Sequence, residues 1–337
     1  MSRNSMLGRS GQRDALHSYN TPDRSGQDHH THTFDWRETM KSRARFLIVF
    51  LMAVMAAIPV MGSRQNAHAQ PPDSSGNGRP VSIDPGFKPR LGTYYYKFDY
   101  NNVSIGFASI TIDKESDLYR IQVNAQTNST IDRIYRIRYR GESLMDADPR
   151  IASIQTKTQQ QVKSTEKDMT IQFQQDGGIK TIEKKSKNGS TVDYDVRSLM
   201  PEKFTVDPFA ATYLVRGLDW KVGREEVFDV YGGKSQYELH LKCSHIQGVD
   251  VDGAKRPAYV IIPTVKKLDK DGNVVESKKK PADTKIYLSA DELKDVLKIE
   301  ATHTLGFFRV TLDRFVPLVP QEQQAQPQDK AQTHTGG

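Results

Sequence analysis

Between about residue 91 and residue 317, apolar side chains return at every second position. Tyr94, Tyr96, Phe98 and Tyr100 alternate with Tyr95, Lys97 and Asp99. The same period runs through Tyr119, Ile121, Val123 and Ala125, and through Tyr135, Ile137 and Tyr139 set against Arg136, Arg138 and Arg140. It returns in Ile171 and Phe173, in Leu239, Leu241 and Cys243, and in Phe308, Val310 and Leu312. Neighbouring side chains of a strand point to opposite faces, so this pattern describes strands with one dry and one wet face. Strands wet on one side belong to antiparallel sheets. Asp176-Gly177-Gly178, Asn188-Gly189, Asp252-Gly253 and Asp271-Gly272 fall between the runs, and such pairs supply the positive φ that tight hairpins need.

The expected fold is therefore all-β: a curved antiparallel sheet, or an open barrel or sandwich, in one domain over 91–317. One or two short helical inserts interrupt it. Pro208–Arg216 is the first, with Asp207 placed to cap it and Pro208 at a position that needs no N–H. This segment is expected to join two halves of the sheet. Tyr213 and Leu214 would anchor it on the core, leaving Arg216 to seek a carboxylate or a ligand. Losing the Asp207 cap should cost about 1 kcal/mol. Ser289–Leu293 is the second, from the capping-box spacing of Ser289 and Glu292.

The flanks read differently. Residues 46–61 are 16 uncharged, mostly apolar residues, preceded by Lys41, Arg43 and Arg45 and followed by Ala67-His68-Ala69. A basic flank, a short apolar run and a small-x-small site make a secretory signal, cleaved after Ala69. The rival is an inner-membrane anchor left uncleaved at 46–61, although a spanning helix needs about 20 apolar residues. No Cys follows the run and no Arg pair precedes it, so general secretion to the periplasm is expected, without lipid modification. Residues 1–39 read as a disordered or untranslated leader with the start at Met40. Residues 70–90, rich in Pro, Gly and Ser, read as a linker, and 318–337 as a disordered Gln-rich tail.

Composition narrows the function. Residues 1–69 hold 9 Lys and Arg against 5 Asp and Glu, leaving 39 against 36 in the remainder. A body so close to neutral is not that of a nucleic-acid binder. One Cys forms no internal disulfide. Cys243 and His245 would share one strand face, with His240 on the other, and two ligands do not make a zinc site. Asp269 to Asn273 begins like a calcium loop but has its Gly at the fourth position, not the sixth, and reads as a hairpin turn. Gly-x-Ser-x-Gly does not occur. No metal, cofactor or catalytic residue is expected from the sequence. Arg136, Arg138 and Arg140 form a stripe that could contact an anion or a lipid headgroup, or be an ordinary wet face. Tyr94, Tyr96, Phe98, Tyr100 and Phe107 could line a concave ligand pocket or form core.

Four blocks resemble one family. They are Tyr94–Ala108, ending Ser-Ile-Gly-Phe-Ala, then Val206–Arg216, then Gly223–Val230, and last Tyr287–Asp291 with Thr304-Leu305-Gly306. In this order they resemble the exported bacterial domain of unknown function 3108, across about 91–316. The stretch Glu292–Lys298 departs from the family pattern, which would place a basic residue and an Ile/Leu-Pro step there. The resemblance implies an exported β domain and no established activity. The expected function is thus a non-catalytic cell-envelope binding or assembly factor, holding an apolar or lipid-like ligand or a partner peptide on a curved sheet. The alternatives are a periplasmic hydrolase whose site forms only in space and an outer-membrane barrel. The barrel is disfavoured because its strands would need a lipid-facing apolar band. Partners are expected to be an unknown envelope ligand or protein, with the chain a monomer or weak oligomer.

Overall fold

The computed structural model describes residues 83, 87, 89–146, 151–251, 253–275, 283–303 and 306–318. The signal, the leader and nearly all of the tail lie outside these. The chain opens with strands β1 (Gly92–Tyr100), β2 (Val103–Glu115) and β3 (Leu118–Thr127), then a short helix α1 (Ser129–Tyr135). Strands β4 (Ile137–Asp146), β5 (Ala152–Val162), β6 (Thr165–Phe173), β7 (Ile179–Lys187) and β8 (Ser190–Leu199) complete the first arm. After β9 (Thr205–Val206) comes helix α2 (Pro208–Gly217). The second arm is β10 (Glu225–Tyr231), β11 (Gln236–Val251), β12 (Ala254–Leu268), β13 (Val274–Val275), β14 (Asp283–Ser289), β15 (Val296–His303) and β16 (Gly306–Pro317).

All sixteen strands belong to one sheet, with β8 at one end and β9 at the other. The first arm is a plain meander from β1 to β8, and β1 pairs with β16, so the first and last strands are neighbours at the centre. Every pairing is antiparallel except the short β9–β10 ladder. The predicted all-β class, curved sheet and small helical inserts are all present.

The sheet does not close by backbone pairing, yet its arms touch. Ile171 and Ile179 of the first arm pack on Tyr231 of the second. The Thr181 hydroxyl donates to the Tyr231 hydroxyl at 3.1 Å, and Arg197 Nη1 donates to the Gly233 carbonyl at 3.1 Å.

Helix α2 sits inside the resulting curve. Nine of its ten residues, all but Thr212, are buried. Phe209, Tyr213 and Leu214 pack with Trp220 and with strand residues from both arms, among them Val123, Met145, Phe228 and Leu241. Room for the helix comes from Gly141 on β4, where a Cβ atom would stand 2.5 Å from the Phe209 ring. Tyr94, Tyr96 and Phe98 build a second cluster with Phe308, Val310 and Leu312 across the β1–β16 seam. Ile83 and Phe87, in the stretch read as a linker, pack on the first cluster, and the Phe87 ring meets Tyr213 edge-on at 5.5 Å. The folded body therefore starts before residue 91.

Three local readings need correction. Ser289–Leu293 is a turn, not a helix. Its Ser289 hydroxyl donates to Asp291 Oδ1 and accepts from the Asp295 N–H at 2.8 Å, so it does not cap a helix. Tyr135 ends helix α1 instead of starting a strand, and Arg136 is the residue just after that helix. A β-bulge between Cys243 and His245 breaks the alternation there. Cys243 is buried while His245 is exposed, so the two do not share a face. Turn chemistry followed expectation at Asn188 and Gly189, with φ of 51° and 81°. The β1–β2 hairpin uses Asn101 and Asn102 at 47° and 63°, a turn with no Gly to mark it.

Candidate functional site

Each end of helix α2 carries a buried polar network. At its start the Asp207 carboxylate is wholly buried. Its Oδ1 accepts the Phe209 and Ala210 N–H groups at 2.8 and 3.3 Å. Its Oδ2 accepts the hydroxyls of Ser143 on β4 and Ser153 on β5, at 3.0 and 2.5 Å. Asp207 is thus a cap and also a strut tying the helix to two strands. Burial pushes its carboxyl up, against these hydrogen bonds.

At the other end Arg216 is 5% exposed. It donates to Asp295 Oδ1 at 3.1 Å, to the Tyr94 hydroxyl at 3.0 Å, and to the carbonyls of Leu293 and Lys294 at 3.2 and 3.0 Å. Tyr94 in turn donates to Asp295 at 3.0 Å, and Arg90 pairs with the other Asp295 oxygen. The carboxylate that Arg216 sought lies in the segment that departs from the family pattern. Sequence reasoning passed over Asp295 because nothing local distinguishes it.

Between α2 and the sheet a cavity of about 70 Å³ remains, lined by Tyr94, Tyr96, Phe98, Tyr213 and Arg216 among others. Ligand pockets are usually about 300–1,000 Å³. Tyr94, Tyr96 and Phe98 are therefore core. Phe107, grouped with them in the sequence reading, stands on the opposite face and is 48% exposed.

A larger space lies on that opposite, outer face. It is a trough of about 830 Å³ crossing the first arm and the seam. Register explains its lining. Tyr95 faces Ser109, which faces Asn124, then Arg140, then Gln159. In the next row Lys97 faces Phe107, then Gln126, Arg138 and Gln161. The wet-face alternation thus places the arginine stripe in the trough, and Arg136 joins it from the end of α1.

The three arginines differ in their engagement. Arg138 forks onto Asp132 of α1, with Nη1 to Oδ1 at 2.9 Å and Nη2 to Oδ2. That hydrogen bonding holds the Asp132 carboxyl down at about 2. Arg136 and Arg140 have no ion-pair partner among the described residues. Lys97 and Arg314 both pair with Asp313, and Arg314 stacks on Tyr95 at 4.0 Å.

A folded-state pKa below the unfolded value means that the Asp132–Arg138 pair stabilises the protein above the ordinary carboxylate range and loses this as pH falls through about 2. Arg138→Gln should raise Asp132 from about 2 toward the ordinary value of about 4. A carboxyl-carbon NMR titration measures this, and an unchanged Asp132 would refute the assignment.

Among the described residues no group of three His, Cys, Asp or Glu is placed to hold a metal. His240 pairs with Glu238 on β11, outside both cavities. The Asp269 carboxylate accepts the N–H groups of Asp271 and Asn273, each at 2.9 Å, as a hairpin turn does. No described helix is long and apolar enough to cross a membrane.

A family model for a protein of unknown function, DUF3108, matches residues 95–313. Among solved structures, a β-barrel-like protein of the domain of unknown function DUF1849 from Brucella abortus is similar at 12% identity and a TM-score of 0.45, over 68% of this chain and 99% of that one. A candidate lipoprotein from Parabacteroides distasonis is similar at 8% identity and a TM-score of 0.28, over 71% of this chain and 100% of that one. No curated protein matches the chain.

Proposed function

The chain belongs to the DUF3108 family of proteins of unknown function, and we propose that this member is an exported, non-catalytic binding or assembly factor of the cell envelope that takes an anionic ligand on its outer face. The observation that carries this reading is a contrast between the two faces. The concave face is filled by α2 and keeps only about 70 Å³, whereas the outer trough offers about 830 Å³ with two unpaired arginines. Unpaired guanidiniums beside neutral donors form a ready anion site, since Arg forks onto carboxylate and phosphate. An apolar ligand inside the curve, the other form of this reading, has no room. Arg216 and Asp207 belong in this account to the scaffold, since their polar groups are spent on protein partners.

Native mass spectrometry of the protein purified from its own periplasm tests the proposal. An anionic species should co-purify with the wild type and be absent from Arg136→Gln/Arg140→Gln, with the melting temperature unchanged. A species retained by the double variant, or none in the wild type, overturns it.

A further inference from the structure

The chemistry of the trough is more specific than its charge. Asn124, Gln126, Gln159 and Gln161 all line it, and among the described residues none of their amide groups bonds to another side chain. They flank the arginines on both sides: Asn124 faces Arg140, which faces Gln159, and Gln126 faces Arg138, which faces Gln161. The adjacent outer-face pair Gln122 and Glu142 does engage, at 3.1 Å. Four free amides thus stand together in the trough, in line with its arginines. Each amide offers a donor and an acceptor on one fork, while Arg only donates. A bare anion would use the arginines and leave the amide carbonyls without a donor. A ligand hydroxyl donates and accepts, and matches an amide at both atoms.

Aromatic surface completes the set. Phe107 stands exposed between Lys97 and Gln126, where its ring can take the C–H face of a sugar. The lining holds no stretch of exposed apolar side chains for an acyl chain, which disfavours a lipid occupant. Its rows run across the strands, so an occupant lying along them meets side chains and not a strand edge, which disfavours an added β-strand. From β16 to β6 the lining crosses seven strands. At about 4.8 Å per spacing the path is about 29 Å long, several units of an extended polymer.

We infer that the trough binds a linear anionic oligosaccharide, with Arg140 and Arg136 on its charged groups, the Asn and Gln amides on its hydroxyls and Phe107 under a ring. The inference rests on the outer face being the binding surface, as proposed above.

Isothermal titration with hexagalacturonate tests it, with maltohexaose and inorganic polyphosphate as comparison probes. Hexagalacturonate should bind with a saturable isotherm, and maltohexaose at least tenfold more weakly. Arg140→Gln should weaken hexagalacturonate at least tenfold, as should Asn124→Ala/Gln159→Ala, each with an unchanged melting temperature. Polyphosphate binding should be unaffected by Asn124→Ala/Gln159→Ala. If polyphosphate binds as tightly as hexagalacturonate and loses as much in Arg140→Gln alone, the trough is a bare anion site; the outer-face reading then stands and the saccharide inference falls. Absence of hexagalacturonate binding, equal binding of maltohexaose, or binding that survives both variants also overturns it.

Discussion

Asp295→Ala is expected to lower the unfolding free energy by about 3–5 kcal/mol, the range for removing one partner of a buried ion pair. The carboxylate is fully buried and receives Arg216, Arg90 and the Tyr94 hydroxyl. Removing it leaves the Arg216 guanidinium in the core with only two carbonyls and one hydroxyl. Urea denaturation gives the number. Arg216→Ala should cost less, because Asp295 keeps Arg90 at a partly exposed position. The pair Arg216→Met/Asp295→Leu should recover much of the loss, as buried ion pairs replaced by apolar side chains often do. A loss below about 1 kcal/mol for Asp295→Ala would mean that water reaches the pair and screens it.

Asp207→Ala is expected to cost about 3 kcal/mol, well above the figure for a cap alone. The cap itself contributes about 1 kcal/mol. The two serine hydroxyls on β4 and β5 and the two helix N–H groups are then left buried without this acceptor, and each unsatisfied buried group costs about 1–3 kcal/mol before relaxation. Ser143→Ala in the Asp207→Ala background separates the contributions, since it removes an orphaned hydroxyl and should restore part of the loss, whereas Ser153 still accepts the backbone N–H of residue 207 at 2.8 Å. Thermal unfolding that is unchanged by Asp207→Ala would refute both the cap and the strut.

The architecture was readable wherever one physical cause dominated. Period two required a wet and a dry face, and that alone gave antiparallel strands and the outward direction of Arg138 and Arg140. Asp207-Pro208 was readable as a helix start because its chemistry is local. What escaped were features decided at long range. Asp295 lies 79 residues from Arg216 and looks like any loop carboxylate. The Cys243–His245 bulge adds one residue to a ladder whose sequence gives no sign of it. Helix α1 was hidden because Tyr135 happens to continue the alternation of Ile137 and Tyr139. The trough required knowing that β3, β4 and β5 are neighbours in register, so that amides from three strands fall in line with the arginines.

The seam between β1 and β16 has a kinetic meaning. Pairing Gly92 with Pro317 closes a loop nearly as long as the domain, and contacts of such separation form late and slowly. The first arm can assemble its own hairpins, but the edge of β1 away from β2 has no partner until the last strand is available. The helix that fills the curve draws its contacts from both arms, so it too waits. The seam and the packing of this helix are therefore completed only once the final strand has been made. Late completion of this kind suits the exported role proposed above, because a polypeptide that folds late can pass a narrow pore unfolded.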